Sequence, residues 1–160
     1  MKKAFIIDID NCWLNSRLWI SKAPHGSKNE EDWNLFYKRI YFCKPNFEFI
    51  NDILKIIEEK KLFPIFVTSR SGSVATQTIL QIQKNSPLIV GKTCALYMRP
   101  SKNDYRSSAA VKKDLLMDII KEYEIEFVID DTISNLLMFK ECGISNVIHY
   151  DIETHDYNKI

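Results

Sequence analysis

The chain reads as a single α/β domain: a three-layer, Rossmann-like parallel sheet of five strands, helices on both faces, and a small subdomain inserted after the first strand. Three observations predict this. Five short apolar runs, several closing on acidic or hydroxyl residues, have the length and β-branched content of buried strands. Amphipathic stretches long enough for helical crossovers separate most of them, which implies parallel pairing. The length, 160 residues, matches one domain able to bury a substantial core.

The first run, Lys3 to Asp8 (KAFIID), ends in acid. Residues 11 to 44 lack strand character, hold all three tryptophans and the turn signal Pro24-His25-Gly26-Ser27, and read as an inserted subdomain. Trp33, Phe36, Tyr37 and Ile40 stand at i, i+3, i+4 and i+7 within it and read first as the inserted segment's own apolar face. Pro45-Asn46 opens a helix with Ile50, Ile53, Leu54 and Ile57 on one side. Phe63 to Thr68 (FPIFVT) is the second strand, and Ser71 to about Gln83 the next helix. Ala95 to Met98 is a short third strand before Arg99-Pro100. Ser107 or Ser108 is expected to cap a helix running to about Tyr123, followed by a fourth strand, Phe127 to Asp130. Asp131 is expected to cap a helix from Thr132 to Cys142 that Gly143 closes, and Asn146 to His149 is the fifth strand. The stretch from His149 to Asp156 reads as a solvated tail.

Composition removes several function classes. Hydrophobic residues at 46% and charged residues at 27% exclude disorder and a disulfide scaffold. A net charge of +1 argues against a protein that coats nucleic acid by bulk charge. Cys12, Cys43, Cys94 and Cys142 contain no C-x-x-C pair, so reduced buried thiols are expected in place of a zinc site. The first apolar run stops at Asp8 and no run approaches about 18 apolar residues, so neither a signal peptide nor a membrane span is expected, and a cytoplasmic location is. Gly26, Gly72, Gly91 and Gly143 cannot spell a dinucleotide-binding fingerprint. Gly91-Lys92-Thr93 resembles the end of a P-loop, yet Ser86 stands where its first glycine belongs and a strand follows, so no kinase site is read.

The chemistry is expected at the carboxyl ends of the strands, where the polar residues cluster. Alternate residues of an extended strand share a face, so Asp8 and Asp10 would point into one crevice about 6 to 7 Å apart if the extension persists through Ile9. Asp130 and Asp131 add two more acids from a neighbouring strand end. Four carboxylates with no counter-charge repel, and a hard divalent cation such as Mg²⁺ resolves the conflict, with Asp8, Asp10, Asp130 and Asp131 as candidate ligands. Such a site suits a nuclease or a phosphate-binding switch equally well. Thr68 and Ser69 at a strand end, with the Lys112 charge, favour phosphoryl transfer, in which one Asp takes the phosphoryl group and another serves as acid and base. Singly each element has a plainer use: Asp-x-Asp in turns, Asp131 as a helix cap, Lys112 or Lys113 on a solvated face. Their joint order is far more specific.

That order, IIDIDNC (Ile6 to Cys12), FVTSR (Phe66 to Arg70), Lys112 and VIDD (Val128 to Asp131), resembles the haloacid dehalogenase-like (HAD) phosphohydrolases over nearly the whole chain. The resemblance implies Asp8 as nucleophile, Asp10 as general acid/base and, through its backbone carbonyl, a metal ligand. It further implies Thr68 as the phosphate-binding hydroxyl, Lys112 as charge stabiliser, Asp130 with Asp131 at the magnesium end, and the insert at about 11–44 as a small cap following the first motif. The family usually reads Asp-x-Asp-Gly-Thr; here Asn11-Cys12 replaces Gly-Thr, which should alter rate more readily than abolish activity. Within that family the chain is similar to the 3′-phosphatase domains of bacteriophage polynucleotide kinases. The likeness lies in Thr68-Ser69-Arg70, then Met98-Arg99, Asp104-Tyr105-Arg106 and Val111-Lys112, and it implies that Ser69 and Arg70 join Thr68 in phosphate binding.

Five basic residues, Arg99, Lys102, Arg106, Lys112 and Lys113, fall close together against Asp104 and the adjoining Asp114, and a positive strip there could steer a phosphorylated nucleic-acid end, with Arg99 and Arg106 as contacts. The expected activity is therefore a Mg²⁺-dependent phosphomonoesterase, foremost a polynucleotide 3′-phosphatase. A nucleotidase acting on free mononucleotides and a non-catalytic phosphate-binding module are the competing readings.

Overall fold

A computed structural model of the chain describes residues 1–100 and 103–160. Strand β1 (Lys2–Ile7) is followed by β2 (Leu14–Asn15), helices α1 (Arg17–Ile20) and α2 (Glu30–Ile40), strand β3 (Lys44–Pro45) and helix α3 (Phe47–Lys60). Then come β4 (Phe63–Ser71), a 3₁₀ turn (Gly72–Val74), α4 (Ala75–Lys84), β5 (Ala95–Arg99), α5 (Ser108–Ile119), β6 (Tyr123–Asp130), α6 (Ile133–Glu141), β7 (Val147–Asp151) and β8 (Asp156–Lys159).

The sheet order is β5-β4-β1-β6-β7-β8, with all pairs parallel except β7 and β8. Strand alternation builds two cores. Phe5 and Ile7 of β1 join Phe66, Phe127 and Ile129 on one face, against Phe49, Ile50 and Ile53 of α3 and Ile82 of α4. Ala4 and Ile6 join Ile65, Val67 and Val128 on the other, against Val111, Leu115 and Leu116 of α5 and Leu136 and Phe139 of α6. From β1 the chain winds outward to β4 and β5, then returns to β6 on the opposite side. That reversal leaves a crevice at the carboxyl ends of β1 and β6.

The sheet has six strands where five parallel ones were expected. The C-terminal stretch that reads as a solvated tail instead folds back as β8, pairing Tyr150 with Tyr157, and His155 takes a left-handed φ of 59° in the turn. Two further expectations are corrected. Helix α5 stops at Ile119 because Tyr123 already pairs with Lys2 in β6, its ring stacked on Phe63. Thr132, not Asp131, occupies the N-cap of α6, and Asp130 Oδ1 accepts the Thr132 N–H at 2.9 Å.

Residues 11–44 form a segment between β1 and α3 whose two ends are clasped by the antiparallel β2–β3 pair. Phe36, Tyr37 and Ile40 of α2 are buried, so the expected apolar face exists, and it packs onto the core below. No helix among the described residues is long and apolar enough to cross a membrane.

Candidate active site

Extension does not persist beyond Ile7. The Cys12 and Leu14 N–H groups both donate to the Ile9 carbonyl, at 3.2 and 3.0 Å, and Asn11 adopts a φ of 60°, a left-handed conformation that Asn tolerates better than most residues. This is the conformation that a glycine would adopt freely, so Asn11 serves the turn without it. Asn46 holds the turn from beneath: its Nδ2 donates to the Cys12 carbonyl (2.9 Å) and the Tyr150 hydroxyl (2.8 Å), while its N–H donates to the Trp13 carbonyl (2.9 Å).

The turn sends the two carboxylates to different partners. Lys112, 1% exposed, donates to Asp8 Oδ1 at 2.7 Å and to Asp130 Oδ2 at 2.6 Å. Asp10 Oδ1 accepts from Arg70 Nη2 (2.6 Å) and from Ser16 Oγ (2.7 Å), and its Oδ2 accepts from Arg70 Nε (2.9 Å), a bidentate pair. Asp131 lies beside Asp8, their oxygens and the Cys12 sulfur all within 4.8 Å of one another.

Charge follows this geometry. Burial raises Asp8 well above the usual carboxylate range, with Lys112 opposing and Asp130 and Asp131 adding to the rise. Burial and the Asp130 charge push Asp131 to about 6. For Asp10 burial is also the largest influence and acts upward, but Arg70 and Ser16 outweigh it and hold that carboxyl below its ordinary value. Lys112 stays charged because Asp130 and Asp8 outweigh its burial. Three carboxylates against one ammonium leave an excess of negative charge at Asp8 and Asp131, the donor set a divalent cation fits. Cys12, its thiol raised by burial, is a neutral neighbour and a poor ligand for a hard ion.

Asp8, Asp10, Ser69, Arg70, Lys112 and Asp131 line one cavity of about 560 Å³, together with Arg99, the more exposed Arg106, and Ile20, Ala23, Trp33, Phe36, Tyr37 and Ile40 along the wall formed by the 11–44 segment. Thr68 and Asp130 are both buried and stand outside that lining. Thr68 Oγ1 accepts the Arg70 N–H (3.2 Å), and Asp130 is engaged by Lys112, Thr132 and Asn135.

The basic strip is less positive than its count suggests. Lys112 is internal, and Lys102 lies outside the described residues. Arg99 turns inward to the Ser69, Asp104 and Arg106 carbonyls (2.8, 2.9 and 2.8 Å), and Arg106 pairs with Asp104 (2.7 Å) and Asp114. Four residues that sequence reasoning did not single out complete the site: Ser16, Asn46, Gln81 and Asn135, whose Nδ2 reaches both Asp130 oxygens at 3.2 Å. The signal available for Asn135 was a polar residue among the apolar ones that α6 buries, Leu136, Met138 and Phe139, whereas Gln81 shares the buried side of α4 with Thr78 and carried no such mark.

A parallel sheet that brings Asp8, Lys112 and Asp130 together at the ends of β1 and β6 has the motif order of a HAD-type phosphatase domain, and the family comparison agrees. A family model described as the polynucleotide kinase PNKP phosphatase domain matches residues 37–150, more than half of the chain, and the chain belongs to that family. No curated protein sequence matches it. Among solved structures it is similar to one titled as a Pnkp1/Rnl/Hen1 complex, with a TM-score of 0.69 and 21% identity over 93% of this chain and 45% of that one. A second, described as the Pnkp1/Rnl/Hen1 RNA repair complex, also matches at 0.69 and 21%, over 94% and 43%. A class C acid phosphatase from Bacillus anthracis with tungstate bound matches at 0.53 and 18%, over 84% and 53%. These likenesses establish the fold. The chain spans about half the length of the structures it matches.

Proposed function

We propose that the protein is a cytoplasmic, Mg²⁺-dependent phosphatase that removes a terminal phosphate from a nucleic-acid 3′ end through an aspartyl-phosphate intermediate. The observation that carries the mechanism is the division between the two acids after β1. Asp8 is held on Lys112 and faces the cavity, while Asp10 is oriented by Arg70 and Ser16.

Asp8, acting in the ionised form that Lys112 favours against its burial, is the nucleophile: its oxygen bonds to phosphorus as the bond from phosphorus to the leaving oxygen breaks, and Asp10, which must first take up a proton against the pull of Arg70, gives that oxygen its proton. Asp10 then takes a proton from water, whose oxygen attacks the same phosphorus and breaks the bond to Asp8, releasing inorganic phosphate. Lys112 balances charge on Asp8 and on the equatorial oxygens, and the Ser69 and Arg70 side of the cavity, backed by Thr68, receives the phosphate. Asp8, Asp131 and, as the family resemblance implies, the Asp10 carbonyl would hold Mg²⁺, with Asp130 behind them fixing Lys112. When bound, the ion supplies positive charge to the transferring group.

Support for a polynucleotide substrate comes from the family and from the neighbours titled as RNA repair complexes. Arg106, lining the cavity with its side chain 44% exposed, is placed to meet an adjoining backbone phosphate. In this reading residues 11–44 are a cap. The aromatic wall and the limited cavity favour a second reading, a mononucleotide phosphatase.

The test is Mg²⁺-dependent phosphate release from a 3′-phosphorylated oligonucleotide, a 5′-phosphorylated one and 3′-mononucleotides, with Asp8→Asn alongside. Preference for the 3′ end with loss of turnover in Asp8→Asn is expected. Preference for mononucleotides moves the assignment to the second reading, undiminished turnover in Asp8→Asn overturns the mechanism, and no release from any substrate leaves a phosphate-binding module.

A further inference from the structure

A continuous set of hydrogen bonds joins the acid/base carboxylate to the end of the helix that walls the cavity. Arg70 grips Asp10 with Nε and Nη2, and its remaining terminal nitrogen, Nη1, donates to Gln81 Oε1 at 2.5 Å. The other end of the same amide, Gln81 Nε2, donates to the carbonyls of Ile40 (3.2 Å) and Tyr41 (2.9 Å). Those are the last residue and the C-cap of α2, where helical carbonyls lack partners within the helix. Arg70 and Gln81 are 3% and 6% exposed, so water cannot readily replace either link. At the other end of the 11–44 segment, Ser16 Oγ touches Asp10 directly at 2.7 Å.

We infer that Gln81 is a positioning residue that couples the seating of α2 to the orientation of the Asp10 carboxylate. Helix α2 brings Trp33, Phe36, Tyr37 and Ile40 to the cavity, so whatever presses on that wall bears on the Ile40 and Tyr41 carbonyls. Gln81 passes any displacement to the guanidinium, and a guanidinium held at both ends cannot tilt without turning Asp10. A fixed amide is suited to this, since one group must accept from Arg70 while donating to α2. The catalytic part of this inference rests on the reading of Asp10 as the general acid/base; the mechanical part does not.

Two measurements on the full chain test it. The first compares kcat for a ribose 3′-phosphate, whose alkoxide leaving group needs a proton, with kcat for p-nitrophenyl phosphate, whose leaving group does not. In Gln81→Met the ribose substrate should slow about tenfold while p-nitrophenyl phosphate stays within about twofold, a modest fraction of what general acid catalysis contributes. An equal fall on both substrates assigns Gln81 a merely structural role and overturns the inference. The second is hydrogen exchange at the last turn of α2: Asp10→Asn should speed it several-fold in the wild-type background and leave it unchanged in Gln81→Met. The same acceleration in both backgrounds overturns the coupling. If the wild-type chain hydrolyses neither phosphate, the phosphatase reading has failed and the exchange measurement decides the coupling by itself. Gln81→Glu, which keeps an acceptor for Arg70 and withdraws both donors from α2, gives the same exchange result should the methionine variant not fold.

Discussion

Replacing Lys112 with methionine tests the centre of the site. The side chain is 2% exposed, and its ammonium lies 2.7 Å from Asp8 and 2.6 Å from Asp130. Methionine retains the length and most of the apolar stem but leaves two buried carboxylates facing each other with no charge between them. Removing one partner of a buried ion pair costs about 3–5 kcal/mol, because the charge left behind has neither water nor a counter-ion. For a domain of this size each kcal/mol moves Tm by about 2–4 °C, so Lys112→Met should melt roughly 6–20 °C below wild type. The neighbouring Lys113 is exposed, and Lys113→Met should stay within about 0.5 kcal/mol. The assay is thermal unfolding of both variants in EDTA, so that no divalent cation substitutes for the missing ammonium. Destabilisation should shrink from pH 8 to pH 5, since an orphaned carboxylate such as Asp8 has its folded-state pKa raised above the unfolded value and folding then favours the protonated form. A Tm within about 3 °C of wild type, or equal losses for the two lysines, would refute the ion-triad account.

Asp131, raised to about 6, should give Mg²⁺ a pH-dependent affinity: binding strengthens as pH rises through 6 and releases a proton below it, measurable by calorimetry in buffers of different ionisation enthalpy. In the metal-free protein this group's contribution to stability is present below about pH 4 and is lost as pH rises through 6, so Mg²⁺ should raise Tm more at pH 7 than at pH 5. Asp104 is held down to about 2, chiefly by the Arg106 hydrogen bond, so its contribution is present above about pH 4 and disappears as pH falls through 2; Arg106→Gln should return its carboxyl resonance to the ordinary range in an NMR titration. Asn46→Leu removes the donors to the Cys12 carbonyl and the Tyr150 hydroxyl and should cost about 1–3 kcal/mol in denaturant unfolding, with activity falling as the turn loosens.

The parallel core was legible because strands buried on both faces read as unbroken apolar runs, KAFII and FPIFV, and because the intervening helices repeat at 3.6 residues. The sixth strand was not. Asp156–Lys159 is exposed along its length, so no alternation marks it, and its pairing depends on a turn at His155 and on Tyr157 packing beside Tyr150 and Phe49. Helix ends were equally hidden: nothing local tells Tyr123 to join β6, whereas the Lys2 backbone opposite it does.

The residues gathered at the cavity were within reach of the sequence because a parallel sheet must deliver the ends of its strands to one edge, so Asp8, Ser69 and Asp131 could be placed together from order alone. Their pairings were decided only by the tertiary structure. Asp8 and Asp10 are the same residue type two positions apart, yet a left-handed turn at Asn11 separates them. One then meets a lysine 104 positions away and the other an arginine 60 away. Periodicity places adjacent Lys112 and Lys113 on one helix, and packing against the sheet turns only the first inward. Local sequence governs backbone preference and which face is apolar, both short-range effects. Charge pairing, pKa and the Gln81 link to α2 arise from groups distant in the chain that share one water-poor space, and that proximity exists only once the core has closed.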